Sequence, residues 1–293
     1  MAEIFREALA TPLRLHAVLK LLALLGNRTR DDILMLLQPE ILSDNQNTAK
    51  NVINLLKNLG MVRETDTSSQ LSLAEDVPRN IDKLESYRRY MQNKLLGITN
   101  PNAPNNYVLN QFAAWIAVQD ERIAQLSKVN LTARFNEEMY PSETGDASDA
   151  QTRTMNDTKY NGWCNWGVFL GWGLTHDAFK AGFIPDASIR VRSVLETLLP
   201  EKDQLPASIF MERLAEHCPE LDGGALFEDA WQFSRPTENR GNRTSLMLST
   251  GLRVLERCGD LSLILMPDAG DLWRLYPIQG GLNQISHVKR GRN

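Results

Sequence analysis

The chain has 293 residues, of which 42% are hydrophobic and 23% are charged, and this ordinary globular composition excludes a largely disordered protein. Its formal net charge of −4 at pH 7 excludes a protein that coats nucleic acid through overall positive charge, so any DNA contact must be local. The three cysteines contain no CxxC pair and, being odd in number, do not indicate a disulfide framework.

The beginning of the chain shows no targeting signal. The sequence MAEIFREALA lacks the basic end and the apolar run of a signal peptide. The most apolar segment, LRLHAVLKLLALLG, contains charged residues and is too short to cross a bilayer. We therefore expect a cytoplasmic protein that has no contact with a membrane.

The N-terminal region, residues 1–79, begins with two predicted helices. Thr29 and Asp32 form an acidic variant of the capping box that starts the second of them. The first covers residues 12–25 and has the following residues at helical spacing: Leu13, Ala17, Lys20, Leu21, Leu24 and Leu25.

A third helix and two strands complete this region. The helix begins near residues 43–47 and ends at Gly60, which suits a left-handed residue. The strands cover residues 61–64 and 71–73. This order of elements, and above all the sequence LLKNLGMV where the helix meets the strand, resembles the winged helix-turn-helix superfamily. The resemblance implies that the third helix enters the DNA major groove.

Four asparagines share one face of the third helix. Asn47, Asn51, Asn54 and Asn58 recur at helical spacing, and two lysines, Lys50 and Lys57, flank them. Asparagine can pair with adenine through two hydrogen bonds, and lysine can contact phosphate or guanine. The face is therefore a candidate for DNA readout, with a solvated helix surface and a protein-docking surface as alternatives.

The middle of the chain is predicted to be helical. Residues 80–106 form a helix and an asparagine- and proline-rich linker, GITNPNAPNN. Residues 107–186 form a helical middle domain, with an amphipathic helix over 107–126 and a mobile loop over 141–159. Three tryptophans in YNGWCNWGVFLGWGL can stack nucleic-acid bases, but the apolar residues between them favour a packed core.

Residues 187–293 also resemble the winged helix-turn-helix superfamily. Four helices are expected, and Gly259 ends the last of them as Gly60 ends its counterpart, so we expect positive φ at both glycines. Two strands over residues 261–266 and 272–276 then form the wing. The basic tail HVKRGRN is expected to be frayed.

The two copies differ where a DNA contact is expected. Thr250 stands in the second copy where Asn51 stands in the first, and the loop before the second helix is rich in arginines that either solvate the surface or contact phosphate. The candidate DNA-binding residues are Asn47, Lys50, Asn51, Asn54, Lys57, Asn58, Arg235, Arg240, Arg243, Arg253 and Arg257.

No catalytic motif is present. The sequence contains no phosphate-binding loop, dinucleotide fingerprint, HExxH or GxSxG, and its four histidines lie far apart. We therefore expect a protein that is not an enzyme and that uses no metal and no other cofactor.

The expected fold is mainly α, with two small β-wings on two winged helix-turn-helix domains. Such a chain is similar to accessory proteins of bacterial anti-phage and DNA-modification clusters, of the DpdG type. That similarity implies a regulator or a subunit of a multi-component system whose partners are double-stranded DNA and other proteins. The alternative is a scaffold whose winged helices dock partner subunits or self-associate.

Overall fold

The structure, a computed structural model, describes residues 4, 10–39, 41, 46–65, 69–100, 106–141, 153–177, 179–200 and 204–291. This part of the chain is mainly helical and has small antiparallel sheets. The helices are α1 Pro12–Leu25, α2 Arg30–Leu37, α3 Asn47–Asn58, α4 Leu84–Leu95, α5 Tyr107–Gln119, α6 Lys128–Met139, α7 Asp157–Leu170, α8 Ser188–Leu198, α9 Ala207–His217, α10 Ala225–Ser234 and α11 Leu246–Arg257. The strands are β1 Arg28–Thr29, β2 Val62–Glu64, β3 Gln70–Leu73, β4 Gly173–Thr175, β5 Phe183–Pro185, β6 Gln204–Pro206, β7 Leu261–Ile264, β8 Trp273–Arg274, β9 Gln284–Ile285 and β10 His287–Arg290.

The chain divides into two compact units. The first comprises residues 1–96, 104–106 and 158–169, and the second comprises residues 97–103, 107–157 and 170–293. The sequence prediction instead places a separate middle domain over residues 107–186. In the structure that region is shared, because most of α7 belongs to the first unit whereas α5 and α6 belong to the second.

Residues 12–74 of the first unit, called the first module below, run in the order α1, β1, α2, α3, β2, β3. The three strands form an antiparallel sheet in which β3 lies between β1 and β2. The predicted capping box is present: the Asp32 amide donates to the Thr29 hydroxyl at 3.2 Å, and the Thr29 amide donates to the Asp32 carboxylate at 3.3 Å. The strand β1 is too short to leave an alternating pattern, so the sequence did not predict it.

Residues 188–291 of the second unit, called the second module below, repeat this arrangement. Their order is α8, β6, α9, α10, α11, β7, β8, β9, β10, and β10 lies between β6 and β7 in an antiparallel sheet. If α10 and the β8–β9 hairpin are set aside, the element order and the strand order are those of the first module. Because α3 and α11 each have 12 residues, positions such as Asn54 and Arg253 correspond.

The glycine turn after the long helix is the same in both modules. Gly60 has φ 68° and Gly259 has φ 78°. Each glycine amide donates to the carbonyl three residues back, and the next amide donates to the carbonyl five residues back, all at 2.9 Å. This is the Schellman arrangement, which needs a left-handed residue after the helix. The predicted equivalence of the two turns is confirmed.

The strands predicted to form a wing in the second module pair differently from the prediction. The first of these strands, β7, pairs with β10, so that Leu263 lies opposite Val288, whereas the predicted partner segment holds β8, which pairs with β9. The tail that was expected to fray is therefore the central strand of a sheet as far as Arg290. Val288 is the buried residue of β10, and one apolar residue among basic ones gives little local signal for a strand.

The buried side of α1 was also predicted wrongly. Leu15, Val18, Leu19 and Leu22 are buried, whereas Leu13 and Leu24, which belong to the predicted set, are each 63% exposed. Apolar residues occupy both sides of this helix, so the spacing does not identify the side that packs.

The middle region contains one confirmed prediction and several differences. Trp163 and Trp166 are buried, as expected for a packed core. The helix α5 is buried on all sides rather than amphipathic, and it passes into a 3-10 helix at Asp120–Gln125. The helix α6 was not predicted. Of the predicted mobile loop, residues 142–152 lie outside the described residues.

Candidate nucleic-acid interface

The asparagine face of the first module, defined as Asn47, Asn51, Asn54 and Asn58, lies on the outer side of α3. Asn47, Asn54 and Asn58 are exposed, and Asn51 is partly buried. The opposite side of α3 carries Ala49, Val52, Ile53, Leu55 and Leu56 into the core. This burial pattern fixes the rotation of the helix, so the asparagines point outward because the aliphatic residues must pack inward.

One carboxylate at the edge of this face binds two cations. Glu64 on β2 accepts a short hydrogen bond from the Lys57 ammonium and forms a 3.4 Å ion pair with Arg30. The hydrogen bond from Lys57 lowers the pKa of the Glu64 carboxyl below its ordinary value, and Arg30 adds to this effect. Arg30 also donates a 2.8 Å hydrogen bond to the side-chain oxygen of Asn54.

Arg30 was not among the predicted site residues. It is the first residue of α2, after the Thr29 cap, and its amide donates to the Ser69 carbonyl at 2.9 Å. These contacts hold the guanidinium between Asn54 and Glu64. The sequence indicates that an arginine follows the helix cap at Thr29. It does not indicate that this arginine lies close to α3.

The lysines of this face are held differently. Lys50 is exposed, and Lys57 is engaged by Glu64. The surface therefore offers amide groups and one lysine directly, together with two cations whose charge is partly offset by an adjacent carboxylate.

In the second module, the predicted phosphate-binding arginines mostly build internal structure. Arg235 is 6% exposed, pairs with Asp120 at 3.2 Å and with Glu238 at 3.0 Å, and lies 5.0 Å from the centre of the Trp231 ring. Arg243 lies over the same ring at 5.8 Å. Arg235 is thus a buried residue rather than a phosphate clamp, because turning it out to a phosphate would leave the buried Asp120 carboxylate without its partner.

Arg240 is engaged in the same way. It forms ion pairs with Glu228 at 2.9 Å and with Asp222 at 3.8 Å, and its guanidinium lies 5.2 Å from the centre of the Phe227 ring. Apart from Glu238, the carboxylates that hold these arginines lie outside the loop, so the loop sequence alone did not reveal them.

The first turn of α11 is closed by two buried aspartates. Asp222 accepts hydrogen bonds from the Ser245 amide at 2.6 Å and from the Ser245 hydroxyl at 2.7 Å. Asp120 accepts from the Leu246 amide at 2.8 Å. Burial raises the pKa of both carboxyls, that of Asp222 to about 6. The amides at this helix start are therefore occupied by carboxylates.

Arg253, the counterpart of Asn54, is turned toward its own module. Its Nη2 donates to the Tyr276 carbonyl at 2.8 Å and to the Leu282 carbonyl at 3.0 Å. Arg257, the counterpart of Asn58, is exposed. Of the five arginines predicted for this module, Arg257 is therefore the most accessible.

A comparison with protein families matches residues 2–269 to the family described as DpdG-like. The chain belongs to the DpdG-like family. This membership suggests a component of a Dpd DNA-modification system and agrees with the resemblance to the DpdG type drawn from the sequence. The curated proteins and the solved structures that were compared with the chain gave no match.

Among the described residues, no helix combines the length and the apolar character needed to cross a membrane. One of the four histidines has a structural role, since His16 is stacked on Tyr87 and bonds the Ile81 carbonyl at 2.9 Å.

Proposed function

We propose that this protein is a non-enzymatic DNA-binding subunit of a Dpd DNA-modification system, and that both modules are winged helix-turn-helix domains. The observation that carries the proposal is the strand order β1–β3–β2 around the path α1, β1, α2, α3, β2, β3. In helix-turn-helix proteins the helix that corresponds to α3 lies in the major groove and contacts bases from its first turns.

The exposed chemistry of α3 supports this role. A side-chain amide can donate to and accept from adenine at the same time, and three of the four asparagines are exposed. Asparagine is a mediocre helix former, so a row of four on one helix face has a cost in helix stability that a binding role explains.

Two cations beside this face can exchange their carboxylate partner for a DNA phosphate. Lys57 and Arg30 share Glu64 in the free protein, and a phosphate oxygen offers both cations the same kind of acceptor. Lys50 differs from Lys57 and Arg30, because its exposed ammonium can contact phosphate without first breaking an ion pair with Glu64.

Titration of duplex DNA at two salt concentrations tests the proposal. Asn51→Ala and Asn54→Ala are expected to weaken binding to a preferred sequence by about 1–3 kcal/mol for each bidentate hydrogen-bond pair to a base that the substitution removes, with little effect on other sequences. Lys50→Ala is expected to weaken binding to every sequence and to reduce the salt dependence by about one unit of slope. Lys57→Ala is also expected to weaken binding to every sequence, because it removes a cation and leaves the Glu64 carboxylate, which repels phosphate.

A matched control is Lys180→Ala, which removes an exposed lysine between β4 and β5, outside both modules. It is expected to bind DNA as the wild type does. If the four α3 variants also bind as the wild type does, α3 is not a DNA-reading helix and the proposal is wrong.

A second candidate function is protein docking by the first module. On its outer surface α1 exposes Leu13 and Leu24, and α2 exposes Met35 and Leu36, each by more than half. Large exposed apolar side chains of this kind are common at protein–protein contacts. Sedimentation over a range of concentrations, with and without the other Dpd subunits, tests this candidate. A docking role requires Leu24→Ser or Met35→Ser to weaken an association that the wild type shows.

A further inference from the structure

The second module has a segment without a counterpart in the first. Residues 275–283, called the cover loop below, connect β8 to β9 within the wing. The loop is closed on itself, because the Asn283 side chain accepts from the Ile278 amide at 3.0 Å and donates to the Ile278 carbonyl at 3.3 Å. The Leu275 amide also donates to the Asn283 carbonyl at 3.0 Å.

This closed loop is fastened to the outer side of α11. The Tyr276 amide donates to the hydroxyl of Ser249, a buried residue of α11, at 2.7 Å. Arg253 on the same helix reaches the Tyr276 and Leu282 carbonyls, and the side-chain oxygen of Asn283 at 3.3 Å. A single guanidinium thereby ties both ends of the loop to the helix.

A groove remains between the fastened loop and the helix. A groove of 380 Å³ separates Thr250 and Val254 of α11 from Ile278 and Leu282 of the loop. Such a volume holds about a dozen water molecules at ~30 Å³ each. A helix that reads DNA must enter a major groove about 12 Å wide and 8.5 Å deep, and residues 275–283 lie against the part of α11 that carries Ser249 and Arg253.

The corresponding faces of the two modules therefore differ in access. Lys50 is exposed on α3, whereas its counterpart Ser249 is buried on α11. The first turn of α11 is also closed, by Asp120 and Asp222. Because these carboxylates accept from the Leu246 and Ser245 amides, the two amides are not available to a phosphate.

We infer that Arg253 is a positioning residue that holds the cover loop on α11, and that this cover withdraws the second module from DNA contact. The part of the inference that concerns DNA rests on the proposed function of α3. The fastening of the loop stands on its own geometry.

Hydrogen exchange on the full chain tests the fastening. In Arg253→Ala and in Asn283→Ala, amides of residues 275–283 are expected to exchange at least tenfold faster than in the wild type, while the amides of α11 stay protected. Arg257→Glu, on the same helix but outside the fastening, is expected to leave the loop amides unchanged. Unchanged loop exchange in both Arg253→Ala and Asn283→Ala overturns the inference.

Charge reversal tests the consequence for DNA, with a random duplex at low salt. Lys50→Glu on α3 is expected to lower the affinity at least tenfold, and Arg257→Glu on α11 is expected to change it by less than twofold. A tenfold loss in Arg257→Glu shows that α11 contacts DNA and overturns the inference. If the wild type itself binds no duplex, the proposed function fails, and the exchange experiment still decides whether the loop is fastened by Arg253.

Discussion

The buried carboxylate of Asp222 gives the structure its clearest prediction on stability. Asp222 is fully buried, and it positions Ser245, whose hydroxyl accepts from the Leu248 amide at 3.1 Å as the cap of α11. Its ion-pair partner, Arg240, is 3.8 Å away. Burial raises the pKa of Asp222 from 3.8 to about 6, so the charged form is held at a cost at neutral pH.

The sign and size of the effect follow from this pKa. Because the folded value lies above the unfolded value, the stabilisation is fully present below pH 3.8 and is lost as the pH rises through 6. Between pH 5 and pH 8 the wild type is expected to lose about 1 kcal/mol through this group. Asp222→Asn has no proton to lose and can keep a hydrogen bond to Ser245, so its stability relative to the wild type is expected to rise by about 1 kcal/mol over the same interval.

Urea unfolding at pH 5 and pH 8, followed by circular dichroism, measures this difference. The control is Asp268→Asn, which changes an exposed aspartate in the turn after β7. Its stability relative to the wild type is expected to be the same at both pH values. Suppose that the stability of Asp222→Asn relative to the wild type changes no more between pH 5 and pH 8 than that of this control. In that case Asp222 is not held charged against its burial, and the reasoning from its surroundings is wrong.

Three further predictions concern the two glycine turns, the Glu64 carboxylate beside the asparagine face, and the buried ion pair of Arg190 with Glu220. Replacing Gly60 or Gly259 with valine is expected to destabilise the chain to urea by about 1–2 kcal/mol, since each has a left-handed conformation. Glu64→Gln is expected to raise the affinity for duplex DNA of any sequence by about fivefold and to steepen its salt dependence, because Lys57 and Arg30 lose the carboxylate that they share. Titrations of variant and wild type at about 50 and 200 mM salt measure this, and equal affinities at both salt concentrations contradict it. Arg190→Met leaves Glu220 buried without its 2.7 Å partner and is expected to cost about 3–5 kcal/mol in urea unfolding, and a cost below about 1 kcal/mol contradicts it.

The parts of the fold that the sequence predicted are those with a local cause. The capping box at Thr29 and Asp32 and the stops at Gly60 and Gly259 depend on backbone conformation within a few residues. The asparagine face depends only on the helical repeat, once the aliphatic residues of α3 fix which side is buried.

The parts that the sequence did not predict depend on distant partners. The role of Arg235 is set by Asp120, which lies 115 positions away in the chain, and nothing in the loop sequence indicates that carboxylate. The pairing of β7 with β10 is similarly remote, since the β8–β9 hairpin intervenes. In α1, apolar residues on both sides leave the choice of buried side to the neighbouring helices.

The contact between the long helix and the strand that follows it is present in both modules, but its side chains differ. In the first module Lys57, near the end of α3, binds Glu64 on β2. At the corresponding place in the second module, the Glu256 carboxylate accepts from the Leu263 amide on β7 at 3.0 Å. Both contacts fasten the long helix to the first wing strand, so the mechanical role is the same.

The chemistry of this contact, however, is reversed. The first module has a cation there, which a phosphate can recruit from its carboxylate, whereas the second has a carboxylate that is engaged by the backbone. This reversed charge and the cover loop on α11 are two differences between modules that share the same order of elements. The backbone constraints that produce the Schellman turns are kept in both modules, whereas the exposed asparagines and Lys50 are found on α3. Because the two modules share their element order, the proposed assignment of DNA contact to α3 follows from its accessible side chains.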